Sequence, residues 1–280
     1  MSRRPILIAQ ISDLHIKAPG RLAYRRVDTA AALERCIEAL NHFEPTLDLV
    51  VISGDLVDTP TEQEYEHLAR LLSRLKIPFV AIPGNHDSRE LMRAAFPDRS
   101  YANSAGPLNQ RVVVEGLEII LLDSSVPGHP QGELDGSTCD WLEATLSTST
   151  ERPALVFLHH PPFATGIWHM DRQNLRNASD LALIVRRHPR LQLIGCGHVH
   201  RATLAMFAGV PCTICPAPNH AVDLDVAELR APSFKIEPPA FHLHTWLPGD
   251  GFGAIVTHQV PIGDFDGPHP FFGPNGKLID

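Results

Sequence analysis

Apolar, β-branched runs recur along this chain at long intervals, and five of them stop abruptly on a short polar cluster. That pairing limits the possible folds more than any other feature. The runs fall at 6–11, 47–52, 79–82, 112–122, 154–158 and 191–194. Most are continuous instead of alternating, the pattern of strands covered on both faces. The longest breaks at Glu115-Gly116 and predicts a hairpin. Segments of helical period lie between the runs. Residues 27–43 bring Ala31, Leu33, Ile37 and Leu40 near one face. Residues 61–75 open with a Thr-x-x-Glu cap and turn Tyr65, Leu68, Leu71 and Leu72 inward. Shorter helices are expected over 138–146 and 174–187. Alternating strand and helix implies an α/β fold of βαβ units, its largely parallel sheet made mixed by later hairpins.

With 280 residues, 44% of them hydrophobic, the chain can bury a large core. Its formal charge of −8 and lack of any basic run argue against a nucleic acid polymer or an anionic membrane as partner. A small anionic substrate stays compatible, because bound cations reverse the local potential. The first apolar run ends at Asp13, too early for a secretory core or a membrane helix. Five scattered cysteines suit a reducing, cytoplasmic setting, and Cys212-x-x-Cys215 reads as part of a structural strand. From about Pro211 prolines crowd in and periodicity fades. We expect a main domain over 1–228, then edge strands and a proline-rich tail over 229–280. Phe271-Phe272 would dock that tail on the body or on a partner subunit.

The clusters carry the chemistry. They are Asp13-Leu14-His15, Gly54-Asp55-Leu56-Val57-Asp58, Gly84-Asn85-His86-Asp87, His159-His160 and Gly197-His198-Val199-His200. In an open α/β sheet, loops beyond the carboxyl ends of the strands converge, so clusters far apart in sequence meet in space. Carboxylates, an amide oxygen and imidazoles, without thiolate, suit two divalent ions such as Mn, Fe, Zn or Co. Any one cluster alone could be helix caps and satisfied histidines; five in register with five strand ends point to a metal site.

These motifs, DLH, GDLVD, GNHD, a lone His and GHVH, resemble the calcineurin-like metallophosphoesterase superfamily, over residues 13 to 200. The resemblance implies a four-layer sandwich, two central mixed β-sheets flanked by helices. It implies one metal on Asp13, His15, Asp55 and His200, and a second on Asp55, Asn85, His159 and His198, with Asp55 bridging. His159 is preferred to His160 as ligand, since family members usually use the first His after the strand. His86 would sit by the scissile phosphate and serve the leaving oxygen, with Asp58 as its orienting partner or as a cap for the next helix.

The stretch from HHPP to GHVH, and APNHAVDLD beyond it, further resembles bacterial class III cyclic-nucleotide phosphodiesterases and related glycerophosphodiesterases. This implies a phosphodiesterase acting on small phosphodiesters by in-line attack of a metal-bridging hydroxide. A 3′,5′-cyclic nucleotide such as cyclic AMP is favoured, a glycerophosphodiester is the alternative, and a non-catalytic scaffold the remote one. His169, Asn174 and Asn177, in the loop after HHPP, are candidate contacts to the leaving alcohol or base; helix capping is the other role open to the two asparagines. The resemblance also suggests a homodimer or higher homo-oligomer.

Overall fold

The structure, a computed structural model, describes residues 4–101, 105–148, 151–249 and 253–279. Two mixed sheets stack face to face. In the first, β1 (Ile6–Ile11), β2 (Leu49–Ser53), β3 (Phe79–Ile82), β12 (Ala240–Leu247) and β13 (Ala254–Pro261) run in the order β13-β12-β1-β2-β3. The second holds β4 (Gln110–Val114), β5 (Leu117–Leu122), β6 (Ala154–Leu158), β7 (Leu191–Cys196), β8 (Thr203–Phe207) and β9 (Val210–Ile214), in the order β4-β5-β6-β7-β9-β8. A short ladder joins β10 (Ala221–Val222) to β11 (Phe234–Lys235). The strands that bear the clusters, β1, β2 and β3 in one sheet and β6 and β7 in the other, pair in parallel, so their carboxyl ends gather.

Burial on both faces explains why these strands read as unbroken apolar runs. Along β1, Ile6 and Ile8 face the other sheet, whereas Leu7, Ala9 and Ile11 face helices. On β6, Leu155 and Phe157 turn toward the sheet interface, and Ala154, Val156 and Leu158 toward the opposite helical layer. Fully burying a Val, Leu or Ile contributes about 1.5–3 kcal/mol, so neither face tolerates polar alternation. Helices α1 (Thr29–Asn41), α2 (Glu62–Leu72) and α3 (Arg89–Ala95) cover the first sheet; α4 (Gly136–Ser147), α5 (Trp168–Asp171) and α6 (Ala178–Arg187) cover the second. The result is the expected four-layer sandwich.

Local differences from the sequence reading have physical causes. The buried face of α1 is Ala32, Leu33, Cys36, Ile37 and Leu40, with Ala31 only half-buried. Thr61 caps α2 by accepting from Glu64 N (3.3 Å), but the Glu64 carboxylate takes Thr59 N (2.7 Å) rather than closing back on Thr61. Helix α6 starts at Ala178, not near 174, because the Asn174 and Asn177 side chains are engaged with neighbouring loops. The segment after 228 supplies more than edge strands. β13 is an edge, whereas β12 lies inside the first sheet, paired with β1 on one side and β13 on the other. Its phenylalanine, tryptophan and leucine are mostly core residues, and the prolines that suggested an edge lie outside it. Cys212 lies on β9 with Cys215 just beyond, both buried and free.

Candidate metal centre

Each candidate ligand stands one to four residues past a strand end. Asp13 and His15 follow β1, Asp55 follows β2, Asn85 follows β3, His159 follows β6, and His198 and His200 follow β7. Five of these seven hold a left-handed backbone: Asp13 (φ 57°), His15 (47°), Asp55 (52°), His198 (74°) and His200 (55°). Such conformations cost about 1–3 kcal/mol each in non-glycine residues and persist where the surroundings demand them. Close packing explains two of the motif glycines. A Cβ on Gly54 (φ 102°) would run into the His159 ring, and one on Gly84 into the Asp55 carboxylate.

The side chains converge. Ligand atoms of Asp13, His15, Asp55 and His200 all lie within 4.8 Å of one another, and all four residues are buried. His200 Nε2 is 3.3 Å from Asp13 Oδ1 and 3.2 Å from His15 Nε2. Alongside, Asn85 Oδ1 lies 3.2 Å from His159 Nε2 and 3.0 Å from His198 Nδ1. One atom belongs to both groups: Asp55 Oδ2 is 3.5 Å from His15 Nε2 and 3.4 Å from His159 Nε2. The imidazoles are oriented from behind. His159 Nδ1 donates to Ser53 O (2.8 Å) and His200 Nδ1 to His220 O (3.3 Å), which leaves each Nε2 facing the cluster as a lone-pair donor.

The electrostatics fit a cationic occupant. Among the described residues, the ion-pair partners of the buried Asp13 and Asp55 are imidazoles, so protons have to stand in for positive charge. Burial pushes the Asp13 carboxyl up to about 6, with His159 pulling it down and Asp55 adding to the rise. Burial by itself would lower His159, but Asp55 and Asp13 outweigh it and raise the imidazolium to about 9. Burial and the neighbouring His159 hold His198 down at about 3, and its Nε2 is buried without a hydrogen-bond partner. Oxygen and imidazole donors meeting at one shared carboxylate suit a pair of divalent ions.

A family model for calcineurin-like phosphoesterases matches residues 6–202. The chain belongs to the calcineurin-like phosphoesterase family. A probable glycerophosphodiester phosphodiesterase, GpdQ, of Arcobacter nitrofigilis is 36% identical, covering 98% of this chain and 100% of that protein. The 3′,5′-cyclic adenosine monophosphate phosphodiesterase CpdA of Escherichia coli is 34% identical over 70% of each. Among solved structures, a dimetal phosphatase from Danio rerio superposes with a TM-score of 0.60 at 12% identity, covering 92% of this chain and 99% of that one. At that identity the likeness concerns the fold. A dinuclear metal centre is what this calcineurin-like family uses, and the cluster described above can hold one.

The remaining sequence candidates in this phosphoesterase divide. His86 joins the site: its ring lies edge-on to His15 at 4.7 Å and its backbone N–H donates to Asp55 Oδ1 (2.9 Å). Asp58 holds His86 differently from the expectation. His86 Nδ1 donates to the Asp58 main-chain carbonyl (2.8 Å), while the Asp58 carboxylate faces His15 Nδ1 (3.3 Å) and Lys17 Nζ (2.9 Å). Burial favours the protonated Asp58 carboxyl, yet His15 and Lys17 outweigh it and hold the group well below the usual carboxylate range. His160 lies close enough to His159 and His198 to share an ion, its Nδ1 bonded to Ser124 Oγ (2.8 Å) and its Nε2 buried without a hydrogen-bond partner among the described residues; of the pair, His159 is the one placed against Asp55 and Asn85.

The loop candidates make contacts of their own. His169 is on α5 with its ring against Trp168, and no hydrogen bond or ring contact among the described residues joins it to the cluster. Asn174 Nδ2 donates to Phe163 O (2.9 Å), and Asn177 exchanges hydrogen bonds with the Leu134 backbone at 3.0 and 2.7 Å. Sequence reasoning gave three positions no role of their own. Asp87 accepts from Gly84 N (2.8 Å), Leu56 N (3.0 Å) and Tyr65 Oη (2.9 Å), tying two ligand loops together. Asn219 Nδ2 donates to the carbonyls of Asp13 (2.9 Å) and Leu14 (3.0 Å). His220 packs its ring 4.6 Å from His200. The signal was available: Asn219-His220 is another polar pair just past a strand, β9.

Proposed function

We propose that this protein hydrolyses small phosphodiesters at a centre in which Asp13, His15, Asp55 and His200 hold one divalent ion and Asp55, Asn85, His159 and His198 a second. The enzyme class is that of the family and its named relatives, a metal-dependent phosphoric diester hydrolase. The observation that carries the assignment is the Asp55 carboxylate, one oxygen of which faces both imidazole groups. Bound metals supply charge neutralisation at the phosphoryl oxygens and a water of lowered pKa.

The protein's own groups do the rest. His86 carries its Nδ1 proton toward the Asp58 carbonyl, so Nε2 is the nitrogen available to a leaving oxygen. The basic residues adjoining the ligand loops in sequence are already engaged, Lys17 with Asp58 and Glu64, and Arg201 with Val222 O and Glu237. With these two flanking cations engaged, a singly charged diester suits the site better than a monoester.

Between substrates, the support now favours a glycerophosphodiester. The relative of that name matches the chain from end to end, including the β12–β13 pair, and a second GpdQ, from Enterobacter lignolyticus, is 32% identical over 94% of both chains. Cyclic AMP, ranked first on sequence alone, is supported by the CpdA likeness over a shorter span, and a cyclic nucleotide also by a probable cyclic nucleotide phosphodiesterase of Rhodopseudomonas palustris, 32% identical over 92% of this chain. Measuring kcat/KM for glycerophosphocholine, 3′,5′-cyclic AMP and an aryl phosphodiester with added Mn²⁺ tests this. Higher kcat/KM on glycerophosphocholine is expected; the reverse order would favour the cyclic nucleotide. Turnover of monoesters alone would overturn the diesterase reading.

A further inference from the structure

The layer between the two sheets is apolar over most of its extent, built from residues such as Ile6, Ile8, Val51, Ile119, Leu121 and Phe157, but it turns polar at the end nearest the metal centre. Gln10, Ser53 and His244 are each fully buried there. Burying polar groups is costly unless every one is hydrogen-bonded, and these are joined in one chain. Thr257 Oγ1 lies 2.8 Å from His244 Nδ1, and His244 Nε2 lies 3.0 Å from Gln10 Oε1. Gln10 Nε2 donates to Ser53 Oγ (2.7 Å) and to Cys196 O (3.0 Å).

The directions of these bonds are determined. A carbonyl such as Cys196 O can only accept, so the Gln10 nitrogen points to it and the amide oxygen points back to His244. His244 then carries its proton on Nε2, and its Nδ1 accepts from Thr257. Burial, with His242 adding to the effect, keeps that ring neutral. Gln10 therefore links three strand ends. It sits near the end of β1, just before the Asp13 loop, and holds β2 at Ser53, whose carbonyl orients His159. Across the interface it also holds the last residue of β7, just before His198 and His200.

The two sheets contribute different ligands: Asp13, His15, Asp55 and Asn85 come from one, and His159, His198 and His200 from the other. We propose that Gln10, braced by His244 and Thr257 from the C-terminal strand pair, is a positioning residue that sets the spacing of the two sheets at the metal centre. The proposal rests on the metal-centre reading above. It also gives the 229–280 segment a part in the site, because β12 and β13 supply the brace.

The test uses the full-length protein stripped of metal and titrated with Mn²⁺, followed by calorimetry and by the electron paramagnetic resonance signal of a spin-coupled Mn pair. Gln10→Met keeps volume and removes every bond of the amide. It is expected to weaken the second Mn²⁺ by about tenfold or more and to reduce the coupled-pair signal at a given Mn²⁺ concentration. Thr257→Val, on a half-exposed edge strand where folding is not at risk, is expected to shift the same isotherm in the same direction by a smaller factor. Lowered thermal stability with Mn²⁺ affinity and coupled signal unchanged in both variants would show a purely structural network and overturn the proposal. If the unaltered protein itself showed no paired Mn²⁺, the metal-centre reading would fail first, and with it this inference.

Discussion

Replacing Asp58 by asparagine separates two roles that the motif alone confuses. Were the carboxylate the partner of His86, the substitution would change turnover at saturating metal and shift its pH profile. The structure instead gives His86 the Asp58 main-chain carbonyl at 2.8 Å, a contact that asparagine keeps. The carboxylate stands 3.3 Å from His15 Nδ1, behind a candidate ligand. Such an outer partner fixes the tautomer of the imidazole and raises its basicity, and its loss typically costs 10- to 100-fold in metal affinity, about 1.4–2.7 kcal/mol. The neighbouring Lys17 keeps its Glu64 contact at 3.1 Å, so gross unfolding of the loop is not expected. Mn²⁺ titration of diesterase activity would read the effect as a rightward shift of about 10- to 100-fold, with kcat at saturating Mn²⁺ within about threefold of the unaltered enzyme. A large loss of kcat with unchanged Mn²⁺ affinity would refute the placement of Asp58 behind His15.

Mn²⁺ affinity should rise with pH, because His159, held near 9 when metal-free, must lose its proton to ligate. The slope should approach tenfold per pH unit just below about 9 and steepen at lower pH, as His15, also raised by its carboxylate neighbours against burial, and then Asp13 are protonated as well; calorimetry at several pH values checks it. Arg190→Met should destabilise the fold by about 3 kcal/mol in urea unfolding, since Arg190 Nη1 holds the buried Glu118 carboxylate at 2.6 Å and its guanidinium also binds Leu146 O at the end of α4. Glu118 adds a pH signature. Burial opposes its ionisation, but Arg111 and Arg190 outweigh that and keep its folded pKa below the unfolded value. The stabilisation is thus present above the ordinary carboxylate range and is lost as pH falls through it, and Glu118→Gln should flatten this part of the stability profile. Phe271 and Phe272 are 80% and 60% exposed, so this chain's own body does not cover them; if a second copy does, Phe271→Asp with Phe272→Asp should lower the sedimenting mass without reducing metal content.

Much of the fold was legible because strands buried on both faces write themselves as unbroken apolar runs, and because the ligand loops follow those runs directly. β12 was harder to read. FHLHTW mixes histidines with core residues, and its polar members, His242 and His244, are buried at the polar end of the sheet interface, a context that periodicity does not reveal. The convergence of the clusters followed from the strand-end rule, whereas the division of labour around Asp58 did not. Main-chain and side-chain oxygens of one residue are the same letter in a sequence, and only coordinates tell which of them meets His86 and which meets His15. Asn174 and Asn177 read as substrate contacts or helix caps because a loop offers no periodicity from which to infer that their amides pin neighbouring backbone. No helix among the described residues is long and apolar enough to cross a membrane.

The most direct test is elemental analysis of the protein after Mn²⁺ loading and removal of free ion, paired with anomalous diffraction from the same preparation. The account predicts two ions per chain, both beside the Asp55 carboxylate, and a loss of at least one in Asp55→Asn. A chain that never binds more than one ion, or an Asp55→Asn variant that keeps both, would contradict it.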